Sequence, residues 1–90
     1  MSAVMVGYDL NTPGQNYAKV HEAIKALGTW CKPLESTWLV SAYGLTAAGA
    51  NAKLKAAFDS TDRWWVVDVT GDDHAGWLAQ DAVDWIQKHV

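Results

Sequence analysis

The chain is poor in several features that define common classes of protein. It contains one cysteine among 90 residues, which excludes an intrachain disulfide and leads us to expect a reducing, cytoplasmic location. It has no apolar run of roughly 18 residues, the length that a membrane-spanning helix needs. The N-terminus shows no basic segment followed by an apolar one, so we expect no signal peptide. These absences predict a soluble, intracellular protein.

Positive charge is also scarce. Seven Lys and Arg residues stand against ten Asp and Glu, for a formal net charge of −3. Proteins that bind duplex nucleic acid through its phosphates normally carry a basic stripe, whereas the cations here are scattered along the chain. The sequence therefore argues against tight non-specific DNA binding, although a local pocket of two or three cations is compatible with it.

Apolar residues, by contrast, are abundant. Half of the chain is hydrophobic, and six residues are Trp. Ninety residues make one small domain, whose core has limited room for so much apolar surface. Either the core is dense with aromatic rings, or a partner covers part of the apolar surface, most simply a second copy.

The first half of the chain predicts a strand, a helix and a hairpin. Residues 3–9 are apolar at both alternating sets of positions, as in a strand buried on both faces, and the Asn, Thr, Pro and Gly at 11–14 form a turn. Residues 15–27 have helical periodicity, and Gly28 is expected to cap this helix in the left-handed conformation. Residues 29–32 and 37–43 then predict two strands joined through residues 33–36.

The second half predicts a helix, a strand and a closing helix. Gly44 ends the preceding strand and Thr46 caps a helix over residues 47–58. Residues 63–70 form a strand that is again apolar on both faces, and Gly71 ends it. The apolar positions assigned to the helix over 47–58 are Ala50, Leu54, Ala57 and Phe58.

The closing helix is predicted to begin close behind Gly71. Asp72 or Asp73 is expected to cap it, since carboxylates are favourable at the positive end of a helix. This role is favoured over a metal site made by these two residues with His74, because their spacing matches no known ligand pattern. The apolar stripe of the closing helix is Leu78, Ala82, Trp85 and Ile86.

This order of elements predicts a single α/β domain over residues 1–90, a ferredoxin-like α+β sandwich of the form βαββαβ with an extra C-terminal helix. Its sheet would have four antiparallel strands and two helices on one face. The second face is then left open, although the residues assigned to it, Met5, Trp64 and Val66, are apolar. We predict a homodimer that buries this face, with the closing helix contributing; cover by the closing helix alone is the alternative.

Several short sequence motifs within residues 3–71 resemble those of a known protein family. They are Tyr8-Asp9 at the end of the first strand, the hairpin segment Ser36-Thr37-Trp38-Leu39-Val40, and Val69-Thr70-Gly71 at the end of the last strand. With the amphipathic helix and its Gly, they resemble the CRISPR-associated protein two superfamily. Within it, the chain is most similar to the small SinR-like and VapD-like proteins of bacteria and phages.

The resemblance implies a ferredoxin-like domain that dimerises through its sheets. It also implies either a metal-dependent nuclease or a non-catalytic scaffold. Its functional residue is the Asp at the end of the first strand, here Asp9, which would be both catalytic residue and metal ligand. Two Asp9 carboxylates facing each other across a dimer axis could hold one Mg²⁺, with substrate phosphates completing its coordination. The alternative interpretation is that Asp9 is a turn residue.

The aromatic residues predict a second kind of site. A Trp face can stack on a nucleotide base, and a neighbouring Tyr or Arg strengthens the binding. The candidate nucleotide-binding residues are Tyr8, Trp30, Trp38, Trp64 and Arg63. The alternative is that these Trp side chains fill the core and a dimer interface, where Trp is usually buried.

Two functions therefore remain open. The first is a homodimer that binds a nucleotide or nucleic acid and has metal-dependent phosphodiesterase activity at Asp9. The second is a non-catalytic interaction protein of a phage or bacterium, which sequesters a signalling nucleotide or blocks a host defence protein. Small size, acidity and abundant Trp favour the second, and the family resemblance favours the first.

Overall fold

A computed structural model describes residues 1–9 and 17–90, and the turn predicted at 11–14 lies outside them. Four strands and three helices follow one another along the described chain in the order βαββαβα. Their bounds are β1 Ser2–Asp9, α1 Tyr17–Lys25, β2 Thr29–Leu34, β3 Thr37–Ala42, α2 Ala47–Leu54, β4 Arg63–Asp68 and α3 Gln80–His89, with a short 3₁₀ turn at Lys55–Ala57.

The four strands form one antiparallel sheet in the order β2-β3-β1-β4. The apolar strand β1 lies inside the sheet between β3 and β4; Val4, Val6 and Tyr8 on its helical face are buried, while Met5 and Gly7 on the other face are only partly buried, which corrects the expectation of burial on both faces. Its register places Val6 between Trp38 of β3 and Val66 of β4. The domain therefore belongs to the α+β class that the sequence predicts, with one antiparallel sheet and three helices.

One face of the sheet packs against α1 and α2 and holds the main core. Residues of β1 and β3 that alternate along the strands meet apolar residues of both helices there. The cap of α2 is confirmed, because the Thr46 hydroxyl accepts a hydrogen bond from the Gly49 amide at 3.0 Å. The core comprises Val4, Val6, Tyr8, Val20, Ile24, Leu27, Trp38, Val40, Leu45, Ala50, Leu54, Ala57 and Phe58.

Trp64 and Val66 pack against this same core, which corrects their assignment to the second face. Trp65, the neighbour of both, points the other way and is 62% exposed. Met5 lies opposite Val67 in the ladder, so the second face at this end carries Met5, Trp65 and Val67. The prediction had the two-residue alternation right and its phase wrong.

The closing helix α3 covers part of the second face. It packs against β2, and its residues Ala82 and Ile86 are buried. Ile86 also shares a cavity with Leu39 and Met5 of the second face. Cover in cis is therefore provided over β2 and β3, while the half formed by β1 and β4 keeps Trp65 in solvent.

Two predicted helix caps are wrong. Gly28 does not have a positive φ; within the described ranges only Gly44 and Gly71 do. Instead, Gly28 lets the chain pass close to β3, since a Cβ there would lie 2.5 Å from the carbonyl oxygen of Ser41. Asp72 and Asp73 precede a long irregular segment rather than a helix, because α3 begins only at Gln80. The chain needs that segment to cross from β4 to the far side of the sheet.

Candidate functional site

Antiparallel pairing brings three chain segments together at one end of the sheet. β1 ends there at Asp9, β4 begins there at Arg63, and Ser36 in the turn before β3 lies beside them. The backbone amide of Tyr8 donates to the carbonyl of Ser36 over 3.3 Å, which holds this turn against β1. The three segments border a shallow depression of about 440 Å³ that is widely open to solvent, which we call the β1-end cavity. Its lining residues are Gly7, Tyr8, Asp9, Ser36, Thr37, Arg63, Trp64 and Trp65.

The charged groups of the β1-end cavity are Asp9 and Arg63. Both residues are exposed, and they are direct partners in the ladder between β1 and β4. A guanidinium group is suited to binding a phosphate or carboxylate through two parallel hydrogen bonds. The cavity therefore offers one anion-binding group and one carboxylate, with the side chains of Ser36 and Thr37 beside them.

Trp65 supplies the aromatic surface of the cavity, and sequence reasoning missed it in favour of Trp64. Trp65 packs over Gly7, its ladder partner: a Cβ on Gly7 would lie 3.5 Å from two atoms of the indole. More than half of the side chain nevertheless faces solvent. The clue available in the sequence was Gly7 itself, because a strand glycine leaves room for a large ring on the neighbouring strand.

Trp64 has no free face comparable to that of Trp65. Its ring stacks on Phe58 with a centroid separation of 4.5 Å and an interplanar angle of 4°. Its indole N–H donates to the Oδ1 atom of Asn51 at 2.7 Å. These two contacts hold the ring between β4 and α2. Trp64 therefore borders the cavity from the protein interior.

Tyr8 and Trp38 lie in the core and are joined by a hydrogen bond. Trp38 is 2% exposed, and its indole N–H donates to the Tyr8 hydroxyl at 3.3 Å. The same hydroxyl lies 3.1 Å from the Nε2 atom of His21. The structure thus places these two predicted binding residues in a buried polar chain that ends at His21, and their rings pack within the protein.

His21 is the titratable group at the end of this hydrogen-bonded chain of side chains. Burial lowers the pKa of His21 below its ordinary value of 6.5, and the nearby charges of Lys32 and Lys25 lower it further, while Glu22 acts in the opposite direction. The ring also packs on Trp38 at a centroid distance of 5.2 Å. The folded protein therefore favours the neutral imidazole.

We expect the free energy of unfolding to decrease as the pH falls below 6.5, the ordinary pKa of the unfolded His21. Below that pH the unfolded chain binds a proton that the folded chain resists, so unfolding is favoured until the folded pKa is passed. Urea denaturation at a series of pH values would measure the slope. His21→Gln should flatten it, whereas His74→Gln, at an exposed position, should not; equal slopes in all three proteins would contradict the assignment.

Trp30 belongs to a different surface. It is 42% exposed, packs on Trp38 at 5.2 Å and has the Lys25 ammonium 5.0 Å from its ring centre. A cavity of about 480 Å³ lies beside it, bordered also by Lys32 and Trp85. This second aromatic surface is on the β2 side of the sheet, so Trp30 contacts Trp38 but does not line the β1-end cavity.

The remaining chemistry near Trp30 is weak. Cys31 lines the same cavity, and burial raises the pKa of its thiol, with the charge of Asp81 adding to the effect. A thiol held in its protonated form is a poor nucleophile and a poor metal ligand. We therefore assign Cys31 a packing role between β2 and α3.

The cavity beneath α3 has a different character from the β1-end cavity. It encloses about 290 Å³ between α3 and the second face of the sheet, with mainly apolar walls. Its charged residues are Asp72 and Asp73, and the Nδ1 atom of the adjacent His74 is hydrogen-bonded to the Asp72 carbonyl at 3.1 Å. These two carboxylates, with no Lys or Arg among the described lining residues, disfavour a phosphate group in this cavity.

Within the part of the chain that the structure describes, no three His, Cys, Asp or Glu residues converge to hold a metal ion. Asp9 contributes a single carboxylate at the β1-end cavity. The convergence of two Asp9 carboxylates across a dimer stays a prediction.

The chain matches no protein-family model, no curated protein and no solved structure in the comparisons made. Among residues 1–9 and 17–90, no helix has both the length and the apolarity needed to cross a bilayer.

Proposed function

We propose that the chain is a ferredoxin-like domain that binds a nucleotide in the β1-end cavity without catalysing a reaction on it. The ferredoxin-like assignment is supported by the succession of elements from β1 to β4 and by the sheet order β2-β3-β1-β4. The observation that carries the binding proposal is the presence of Arg63 and the exposed face of Trp65 in one cavity.

These two side chains match the two chemical parts of a nucleotide. The Arg63 guanidinium binds a phosphate, and the Trp65 indole stacks on a base, a contact worth roughly 1–3 kcal/mol. Ser36 and Thr37 border the same cavity and supply hydroxyl groups for the sugar or phosphate. Gly7 lets the Trp65 indole itself lie close over β1.

The charge of the chain restricts the ligand to a small one. A long duplex needs many phosphate contacts, and the net charge of −3 opposes its approach. A mononucleotide or short oligonucleotide needs a single cation, which Arg63 provides. We therefore expect weak binding of duplex DNA with a shallow dependence on salt.

Asp9 has a positioning role in this proposal. Its place opposite Arg63 in the ladder allows it to orient the guanidinium by charge and to select against ligands with excess phosphate. Catalysis of the kind implied by the CRISPR-associated resemblance would require further metal ligands beside Asp9. Asp9 is the single carboxylate among the described residues that line the cavity, which is why we propose binding without catalysis.

A nucleotide that binds should quench Trp fluorescence, and Arg63→Gln should weaken its affinity by about tenfold or more, since a charge-assisted hydrogen bond contributes roughly 1.5–3 kcal/mol. Titration of the purified protein with a panel of linear and cyclic nucleotides would measure both effects. Lys53→Gln is the matched control, because Lys53 is an exposed cation on α2 outside the cavity.

Two further variants locate the ligand. Trp65→Leu should remove most of the quenching if the β1-end cavity is occupied, whereas loss of quenching in Trp30→Leu would move the site to the β2 side and contradict the proposal. Mg²⁺-dependent cleavage of the ligand that disappears in Asp9→Asn would contradict the non-catalytic part. Tight duplex binding with no nucleotide response would refute the proposal as a whole.

A second candidate, a module that binds another protein, is favoured by one observation. Trp77 is 99% exposed in the segment between β4 and α3, and Tyr43 is 87% exposed at the end of β3. Large aromatic side chains are enriched where proteins bind one another. If the nucleotide panel is inert, these residues are where a protein partner should be sought.

A further inference from the structure

The outer edge of β4 presents unpaired backbone groups. The Val69 amide donates to the Ala3 carbonyl at 2.9 Å, so the odd-numbered residues of this stretch face β1. Alternation along the strand then directs the amide and carbonyl groups of Trp64, Val66 and Asp68 away from the sheet. Since β4 is the terminal strand of the sheet, no strand of the described chain lies beyond it.

The opposite edge of the sheet is protected, and the comparison is informative. β2 contains Lys32 and Pro33, its register with β3 shifts between Cys31 and Leu34, and α3 packs against it. Lysine, proline and irregular register are the features by which proteins prevent an edge strand from pairing. β4, with the sequence RWWVVD, has none of them between its terminal residues.

We propose that β4 pairs with β4 of a second copy, antiparallel, about a two-fold axis at Val66, to give one continuous sheet. Side chains opposite each other in such a ladder share a face, so a residue must pair with one of the same alternation. Only the register with Val66 opposite itself and Trp64 opposite Asp68 of the second copy satisfies every outward amide and carbonyl. The dimer thus forms through the sheet edge rather than through the second face.

The side chains on the second face also fit this register. Trp65 lies opposite Val67 of the second copy, in a closely spaced position of the ladder, and the contact occurs twice by symmetry. In this register an apolar side chain lies beside the Trp65 indole, which is 62% exposed in one chain. Arg63 lies opposite Val69, so the register sets no like charges against each other.

Small residues allow the second copy to approach on the helical face. A groove runs beside Trp64, Trp65 and Val66 and is bordered on the other side by α2. The α2 residues that line it are Ala47, Ala48 and Asn51. Side chains of this size leave room for the α2 helices of two copies to lie next to each other below the joined strands.

Sedimentation equilibrium without nucleotide tests the association. We expect a mass of twice 9.8 kDa at micromolar concentration. Trp65→Lys should give a monomer, because it removes the cross-strand contact with Val67 and sets two lysines diagonally across the ladder. Trp77→Lys, at the more exposed Trp outside β4, should remain dimeric. A monomer from the unchanged chain, or a dimer that persists in Trp65→Lys, would overturn the proposal.

A cross-linking experiment tests the register, in a Cys31→Ser background that removes the native thiol. Val66→Cys should form a covalent dimer under mild oxidation, because its Cα atoms would lie about 5.5 Å apart across the axis, within the range of a disulfide. Asp68→Cys, two residues along the same edge, should not, since it lies opposite Trp64. The reverse pattern would refute the register. Circular dichroism of each variant distinguishes lost pairing from lost folding, and neither test depends on nucleotide binding.

Discussion

Trp38→Ala should lower the free energy of unfolding by about 3–5 kcal/mol, the usual cost of removing a large buried aromatic side chain. Trp38 is 2% exposed in the centre of the helical face of the sheet. Its loss opens a cavity beneath α1 and deprives the Tyr8 hydroxyl of its indole donor. Small domains have a stability of about 5–15 kcal/mol, so most of the margin would be lost.

Urea denaturation monitored by circular dichroism would measure this effect, since the signal does not depend on the Trp removed. Trp77→Ala is the control: its side chain is 99% exposed, and we expect a change within about 0.5 kcal/mol. A small effect at Trp38 would mean that the ring is not the centre of the core. If Trp38→Ala does not fold, Trp38→Phe should still show a measurable loss.

Gly28→Ala should destabilise the fold by about 1–3 kcal/mol, the typical cost of forcing extra volume into a packed site. The added Cβ would lie 2.5 Å from the Ser41 carbonyl oxygen and 2.9 Å from the Cβ of Ala42. Both obstacles belong to β3, whose backbone is held by ladders on both sides. Relief therefore requires β2 or the end of α1 to move away from the sheet.

Gly76→Ala is a matched control for this substitution. A Cβ at Gly76 meets no atom within 4 Å, and its φ is not positive. The same added methyl group should therefore be neutral or slightly stabilising, because alanine reduces the freedom of the unfolded chain. Thermal melts of the two variants measure the difference. Equal stabilities would show that the close approach of Gly28 to β3 does not exist.

The candidate site could be predicted only in part. Tyr8, Asp9, Arg63 and Trp64 were each identified from the chain, and all four border the β1-end cavity. The choice of Trp64 over Trp65 as the exposed ring was wrong. Both faces of β4 are apolar, so nothing local to the strand distinguishes them; the distinction comes from α2, which packs on the face that carries Trp64.

The helix caps, too, could be predicted from the sequence only in part. Thr46 was predicted correctly because its hydroxyl acts on an amide three residues away, an interaction contained in the local sequence. Asp72 and Asp73 have equally good capping chemistry, yet α3 starts at Gln80. The chain between Asp73 and Gln80 must pass across the sheet before the apolar residues of α3 can be buried. Local sequence preferences do not encode that distance.

By itself, the sequence determined the number, type and order of the elements, because alternation, helical periodicity and turn residues act over a few neighbours. It also indicated that the second face of the sheet would need a cover, either the closing helix or another subunit. Only the tertiary structure decided the phase of β4, the reason for Gly28, and the position of α3 on the second face. Each of these depends on which segments, distant in the chain, come to lie against one another, and pairing across such distances is specified by the whole sheet and its helices together.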